Sequence, residues 1–174
     1  KIKKKKAIIG VIGLGYVGLP LAILLSKKNY TVYGFDTNKK KINSIKKFKS
    51  YKKNIDKNDI SYLTKNKNNC FYKMQNLKLC DVIIICVPTP LKHNNLPDLS
   101  FVKKAFSQVK KYMKYGQTII LESTSYPGTT EEIIIQNIEL KYTIGRNIFI
   151  GFSSERINPG FNENSIKKIP KVVS

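Results

Sequence analysis

The chain has 174 residues, which is enough for one well-packed domain and short for two. Its hydrophobic fraction of 41% is ordinary for a globular protein, and no apolar run approaches the roughly 20 residues that span a bilayer, so we expect no membrane segment. The net charge of +21 suggests a polyanionic partner, but only Arg146 and Arg156 of the 32 basic residues are arginines.

A surface rich in lysine lacks the arginine forks and interleaved aromatic residues that usually read or stack nucleic acids, so the charge indicates a general attraction to anions, including a nucleotide substrate. The basic start, residues 1–6, leads into an apolar stretch that is too short for a signal peptide, which predicts a cytoplasmic protein. Cys70, Cys80 and Cys86 lack the paired spacing of a metal or redox site, which predicts reduced thiols and no bound metal.

The first half of the chain alternates short apolar runs with amphipathic stretches. We predict strands over residues 6–12, 31–36 and 70–72, and helices over 16–28, 38–48 and, inside the polar stretch 50–69, near 60–63.

In the second half, the run at residues 81–87 is apolar on both faces, as a central parallel strand must be. We predict helices over residues 99–115 and 130–140 and strands over 117–122 and 147–152. Strands that alternate with helices predict an α/β fold, a doubly wound, Rossmann-like parallel sheet with helices on both faces. Ligands of such a sheet bind at the carboxyl ends of its strands.

The turn after the first strand reads GLGYVG and opens a helix, the context in which this glycine spacing indicates dinucleotide binding. Gly13 permits the tight turn, Gly15 lets the backbone approach the pyrophosphate, and Gly18 lets the helix pack closely on the sheet. Tyr16 and Val17 lie in the same loop and are counted with the cofactor-binding residues. The helix start then faces the phosphates with its partial positive charge.

Asp36 ends the second strand, 18 positions beyond Gly18. Its carboxylate would accept hydrogen bonds from the adenosine ribose and repel a 2′-phosphate, so NAD is favoured over NADP as the cofactor. Lys39, Lys40 and Lys41 could offset that repulsion, and Lys41 is included among the predicted cofactor-binding residues.

Three further loops follow predicted strands. Thr89, in the segment CVPTPL, could hydrogen-bond the cofactor, although a rigid turn between prolines remains the alternative. The segment ESTSYPGTT at residues 122–130 places several hydroxyls beside a helix start, and some of them, especially Thr129 or Thr130, could instead be helix caps. The segment SSERINPG at residues 153–160 brings a carboxylate and a guanidinium together, with a surface ion pair as the alternative.

Taken together, GLGYVGLPLA, CVPTPL with PDLSFV, ESTSYPGTTEE and SSERINPG resemble the UDP-glucose/GDP-mannose dehydrogenase family. The likeness covers nearly the whole chain and extends to the branch acting on UDP-N-acetylglucosamine or UDP-N-acetylmannosamine. It implies that residues 1–174 are an NAD-binding domain, cut off before the family's long central helix, its sugar-nucleotide domain and its nucleophilic cysteine. The chain by itself is then expected to bind NAD but to turn over poorly or not at all.

The resemblance also implies a reaction: the C6 alcohol is oxidised twice by NAD through a thioester, which water then hydrolyses. By position in the motifs, Thr124 matches a threonine that holds a water near the reacting carbon, and Glu155 matches the glutamate that assists hydrolysis. Arg156 and Asn158 are assigned to contacts with the sugar nucleotide. Two departures, Ser154 in place of a proline and the lack of a glutamate four residues after Glu155, loosen the loop and disfavour UDP-glucose.

The family further implies a UDP-sugar substrate, a product for surface polysaccharide synthesis and a homo-oligomer for the full-length enzyme. A beta-hydroxyacid dehydrogenase is the nearest rival, and the CVPTPL and SSERINPG segments argue against it. A non-catalytic NAD-responsive protein and a basic nucleic-acid-binding module remain alternatives of another class.

Overall fold

A computed structural model describes residues 1–51, 55–64, 69–93, 95–153 and 173–174. The strands are β1 (Ile8–Ile12), β2 (Thr31–Phe35), β3 (Cys70–Phe71), β4 (Val82–Ile85), β5 (Gln117–Leu121) and β6 (Ile148–Phe152). The α-helices are α1 (Gly18–Lys27), α2 (Lys39–Lys46), α3 (Lys57–Thr64), α4 (Ser100–Tyr112) and α5 (Thr129–Ile133), and short 3-10 helices span Met74–Leu79 and Ile135–Asn137.

The six strands form one sheet in the order β3-β2-β1-β4-β5-β6, and every pair of neighbours is parallel. This is the strand order of a doubly wound dinucleotide-binding fold, and it confirms the predicted Rossmann-like fold class. The chain leaves β3 at one edge and returns beside β1 as β4. The order therefore reverses at β1, where such sheets bind their ligands.

The strand β4 shows why the sheet is covered on both faces. Val82 and Ile84 pack into one apolar cluster with residues of α1, α2 and α3, whereas Ile83 and Ile85 pack into a second cluster with residues of α4 and α5. All four side chains are buried. The alternation of a strand carries its side chains to opposite faces, so an uninterrupted apolar run requires a layer of helices on each side.

The helix predicted over residues 130–140 is shorter in the structure. The helix α5 ends at Ile133 and is followed by the 3-10 helix at Ile135–Asn137. Three successive β-branched isoleucines, at positions 133 to 135, disfavour a continuous helix. The Asn137 side-chain amide also donates to the carbonyls of Glu132 and Ile133, which satisfies two acceptors at the helix end.

Candidate functional site

The carboxyl ends of five strands lie in register along one edge of the sheet. Ile12 is paired with both Phe35 and Ile85, and across the sheet Leu121 is paired with Ile85 and Phe152. The residues that immediately follow these strand ends are Gly13, Asp36, Cys86, Glu122 and Ser153. The predicted site loops therefore begin at one edge of the sheet. Of the SSERINPG loop, only Ser153 lies within the described residues.

The glycine turn between β1 and α1 has little space for side chains at two of its three glycines. Gly13 has a φ of +92°, and a Cβ on it would lie 2.6 Å from the Cys86 carbonyl oxygen. A Cβ on Gly18 would overlap the Gly13 carbonyl oxygen, while one on Gly15 would have no heavy atom within 4 Å. Gly13 and Gly18 thus allow close packing, and Gly15 faces open space in which a ligand can approach the backbone.

Asp36 is buried and linked to the glycine turn. Its Oδ2 accepts the Leu14 N–H at 3.0 Å and the Lys41 ammonium at 3.2 Å, and its Oδ1 accepts the Asn38 N–H at 2.9 Å. The Asn38 side chain caps α2 by accepting the N–H groups of Lys40 and Lys41. This cap fixes the first turn of α2, from which Lys41 reaches back to the carboxylate.

A cleft of about 820 Å³ opens beside Gly13, Asp36 and Lys41. This volume lies in the range of roughly 300–1,000 Å³ that is usual for small-molecule sites. The other lining residues come from the ends of β1 and β4, the β2–α2 connection, the segment after β3, and α4: Ile12, Thr37, Asn38, Tyr72, Lys73, Met74, Gln75, Val87, Pro88, Phe101, Lys104, Ala105, Gln108 and Tyr112.

The sequence interpretation missed most of this lining. Its α4 members occupy positions 101, 104, 105, 108 and 112, a spacing that places them on one stripe of a helix. The neighbouring stripe of α4 is apolar and packs into the core through Val102, Phe106 and Val109, and only such apolar spacing is used to predict the helix. The mixed stripe was therefore a readable signal, because it combines polar and aromatic residues beside a buried face.

The loops after β4 and β5 are tied to each other. The Ser123 hydroxyl donates to the carbonyls of Ile85 and Val87, at 3.3 and 2.7 Å. Thr89 is half-buried in the first of these loops, and Thr124 is exposed in the second. The structure thus places both predicted threonines in linked loops at the sheet edge.

Neither Thr129 nor Thr130, the two suggested helix caps, is the N-cap residue of α5. The N-cap residue of α5 is Gly128, and no side chain caps it. The Thr129 hydroxyl instead donates to the Tyr126 carbonyl at 2.8 Å. Its interaction therefore stabilises the Pro-Gly turn that precedes the helix.

The remaining predicted site residues lie outside the cleft lining or outside the described residues. Glu155, Arg156 and Asn158 lie outside the described residues. Gly15, Tyr16, Val17 and Gly18 form the turn and the start of α1, and within the described part of the chain they are not part of the cleft lining.

The cysteines have the environment of buried structural thiols. All three are buried. Burial is the largest effect on Cys70 and Cys80, and it raises the pKa of each thiol to about 12. These two groups are therefore protonated at neutral pH. In the described ranges, no three Cys, His, Asp or Glu side chains are grouped as metal ligands.

A comparison with known families decides what this arrangement is. Residues 7–174 match the model of the NAD binding domain of the UDP-glucose/GDP-mannose dehydrogenase family. The chain belongs to this family. The glycine turn, Asp36 and the adjoining cleft fit the family's cofactor, because they offer a close approach to a backbone and a carboxylate at a strand end.

Individual relatives agree with the family match. The chain is 38% identical, over 169 residues, to the UDP-N-acetyl-D-glucosamine 6-dehydrogenase of Pseudomonas aeruginosa, covering 95% of this chain and 39% of that protein. It is 37% identical to the UDP-N-acetyl-D-mannosamine dehydrogenase of Methanocaldococcus jannaschii, covering 87% of this chain and 35% of that protein. The chain thus spans less than two fifths of the length of either relative.

A solved structure supports the fold over nearly the whole chain. The NDP-N-acetyl-D-galactosaminuronic acid dehydrogenase of Methanosarcina mazei superposes with a TM-score of 0.84 at 26% identity, covering 98% of this chain and 39% of that one. Within the described residues, no helix has both the length and the apolar character needed to cross a bilayer.

Proposed function

We propose that this chain is the NAD-binding part of a nucleotide-sugar 6-dehydrogenase, which oxidises the C6 alcohol of a UDP-N-acetylhexosamine to the uronate in two NAD-linked steps. The observation that carries the proposal is the meeting, at one sheet edge, of an open Gly15, a buried Asp36 and a ligand-sized cleft. The printed names of the relatives supply the substrate class. Bound NAD would supply the hydride acceptor for both oxidations.

In this proposal the turn residues bind the cofactor diphosphate through the backbone and the start of α1. They are Gly13, Gly15, Tyr16, Val17 and Gly18. Asp36 accepts hydrogen bonds from the adenosine ribose, and Lys41 holds its carboxylate in place. Thr89 and Thr124 extend the contacts along the edge. The catalytic roles fall to Thr124, which holds a water, and Glu155, which assists hydrolysis, while Arg156 and Asn158 contact the sugar nucleotide.

The proposal extends to the whole protein. Residues 1–174 would act as the NAD-binding domain of a longer, homo-oligomeric cytoplasmic enzyme, which also carries a central helix, a sugar-nucleotide domain and a nucleophilic cysteine. Its product would enter surface polysaccharide synthesis. The coverage of 39% of the Pseudomonas relative supports a longer enzyme of this kind.

Calorimetric titration of the chain with NAD and with NADP tests the cofactor assignment. We expect saturable NAD binding that weakens in Asp36→Ala, whereas Asp36→Asn, which keeps an acceptor but loses the charge, should discriminate less against NADP. Asp59→Ala is the matched control, because Asp59 pairs with Lys27 between α1 and α3. Failure of a folded chain to bind either nucleotide would reject the assignment.

The substrate assignment is tested on the longer protein, by following NADH formation with UDP-N-acetylglucosamine, UDP-N-acetylmannosamine and UDP-glucose. We expect two NADH per UDP-N-acetylhexosamine and slower turnover of UDP-glucose. The variant Glu155→Gln should lower turnover while NAD binding is retained. Turnover of a 3-hydroxy acid in place of any UDP-sugar would favour the beta-hydroxyacid alternative.

A further inference from the structure

Tyr51 contacts the glycine turn from a distant part of the sequence. Its hydroxyl donates a hydrogen bond of 2.6 Å to the Leu14 carbonyl, across 37 positions of the chain. The tyrosine side chain is half-buried and packs against the apolar cluster beneath α1, α2 and α3. The motif that predicts the cofactor site says nothing of this residue.

The end of α2 directs the chain toward that contact. Phe48 has a φ of +55°, and its N–H donates to the Ile45 carbonyl while the Lys49 N–H donates to the Ser44 carbonyl. This pair of hydrogen bonds is the Schellman motif, which ends a helix and reverses the local path of the backbone. Tyr51 follows three residues after Phe48, where its hydroxyl meets the turn.

The bond from Tyr51 fixes the orientation of a peptide group in the turn. The Leu14 carbonyl and the Gly15 N–H belong to the same planar peptide, which is trans. In a trans peptide these two groups point in opposite directions. Holding the carbonyl toward Tyr51 therefore holds the Gly15 N–H away from it, at the residue where the backbone has open space.

The preceding peptide of the turn is fixed from the other side. The Leu14 N–H donates to Asp36, and Asp36 accepts the Lys41 ammonium, which lies 5.9 Å from the centre of the Tyr51 ring. The four residues thus form a closed circuit of contacts around Leu14, whose side chain is fully buried. Burial, followed by the nearby Asp36 charge, raises the pKa of the Tyr51 hydroxyl, so this donor keeps its proton at neutral pH.

We propose that Tyr51 is a positioning residue for dinucleotide binding: its hydroxyl holds the Leu14–Gly15 peptide in the orientation that binds a diphosphate. The inference rests on the proposed function, because it assumes that the diphosphate of NAD lies against this turn. It assigns Tyr51 an effect on ligands that contain a diphosphate. Adenosine, which would contact Asp36 but lacks the diphosphate, should be insensitive to the hydroxyl.

The test compares Tyr51→Phe with Tyr142→Phe in the 174-residue chain. Tyr142 is a matched control because its hydroxyl also donates to a backbone carbonyl, that of Met113, at 2.8 Å in another part of the fold. Calorimetry gives the affinities for NAD and ADP, an NMR titration gives the affinity for adenosine, and thermal unfolding monitors the ligand-free chains.

We expect Tyr51→Phe to lower the affinities for NAD and ADP by about fivefold, which is the effect of one lost hydrogen bond. The affinity for adenosine should be unchanged. Tyr142→Phe should lower the melting temperature of the ligand-free chain about as much as Tyr51→Phe does, and it should leave all three affinities unchanged. Unchanged NAD affinity in Tyr51→Phe, or an equal loss for NAD, ADP and adenosine, would overturn the positioning role. Failure of the folded wild-type chain to bind NAD would instead reject the proposed function.

Discussion

Gly15 and Gly18 belong to one motif but meet different surroundings. Substitution Gly15→Ala places a methyl group where the chain has no atom within 4 Å, so we expect the free energy of unfolding to change little. The same methyl group would obstruct the close approach of a diphosphate, so NAD affinity should fall by at least about tenfold, or about 1.4 kcal/mol.

Gly18→Ala should show the opposite pattern, with its main effect on the free energy of unfolding instead of on NAD affinity. Its methyl group would overlap the Gly13 carbonyl oxygen. Alanine is favoured over glycine in a helix by about 0.5–1 kcal/mol, but overpacking costs about 1–3 kcal/mol, so we expect a net loss of up to about 2.5 kcal/mol in unfolding free energy. Urea unfolding and NAD titration of both variants check the contrast, and similar stabilities for Gly15→Ala and Gly18→Ala would contradict it.

At the scale of elements, two helices end in the same way with different residues. Asn29 follows α1 and Phe48 follows α2, and both residues have a positive φ in a Schellman motif. Asparagine tolerates this conformation, whereas a side chain such as phenylalanine pays about 1–2 kcal/mol for it. Because Phe48 is half-exposed, Phe48→Gly should raise the unfolding free energy by about 0.5–1 kcal/mol, with little packing lost.

Asn29→Gly is the matched control for that substitution. It should change the unfolding free energy by less than about 0.5 kcal/mol, because asparagine already accepts a positive φ. Chemical denaturation of the two variants measures the difference. An equal gain in unfolding free energy from both substitutions would show that the cost of a positive φ does not depend on whether the side chain is phenylalanine or asparagine.

The starts of β1 and β4 are joined by a carboxylate that titrates. Asp81 accepts the Ile8 N–H at 2.9 Å and the Lys1 ammonium at 2.8 Å. Partial burial acts to raise the Asp81 pKa, but these hydrogen bonds and the nearby lysines outweigh it, so the pKa is lowered. The unfolded chain therefore binds this proton more readily, and the stabilisation is present above about pH 4 and is lost as the pH falls through the folded-state pKa.

The variant Asp81→Asn isolates that effect. At neutral pH it should be less stable than the wild type by less than about 1 kcal/mol, because one partner, Lys1, is largely exposed. The difference should narrow as the pH falls below about 4 and through the lowered folded-state pKa of Asp81, where the wild-type carboxyl group becomes neutral. Urea midpoints at several pH values measure it, and a gap that stays constant down to pH 2 would rule out titration of Asp81 as its source.

The sequence predicts those parts of the site whose signals are local. The glycine turn and Asp36 follow apolar strands at a known spacing, so their meeting at one sheet edge could be foreseen. Tyr51 could not, because it reaches Leu14 across 37 positions through a helix end and no spacing rule links them. The prediction of a longer α5 is wrong because apolar periodicity does not register the lower helix propensity of consecutive β-branched isoleucines.

At the scale of the whole molecule, the net charge of +21 must affect both stability and association. Like charges on a compact chain repel one another, and salt screens that repulsion over a Debye length of about 10 Å at 0.1 M. We therefore expect the melting temperature of the ligand-free chain to rise between about 0.02 and 0.5 M NaCl. High salt would also weaken the binding of anionic ligands, but that effect does not change the melting temperature of the ligand-free chain.

The same charge makes a nucleic-acid titration informative. A lysine-rich chain with only two arginines should bind DNA without sequence preference, with a dissociation constant of roughly 10⁻⁴–10⁻⁶ M at physiological salt. Its affinity should fall steeply between about 0.05 and 0.2 M NaCl, because binding is driven by counterion release. Filter binding with two unrelated DNA sequences, with and without NAD, measures this. Tight binding of one sequence that persists at 0.2 M NaCl and ignores NAD would favour a nucleic-acid-binding function, since counterion release alone discriminates no sequence.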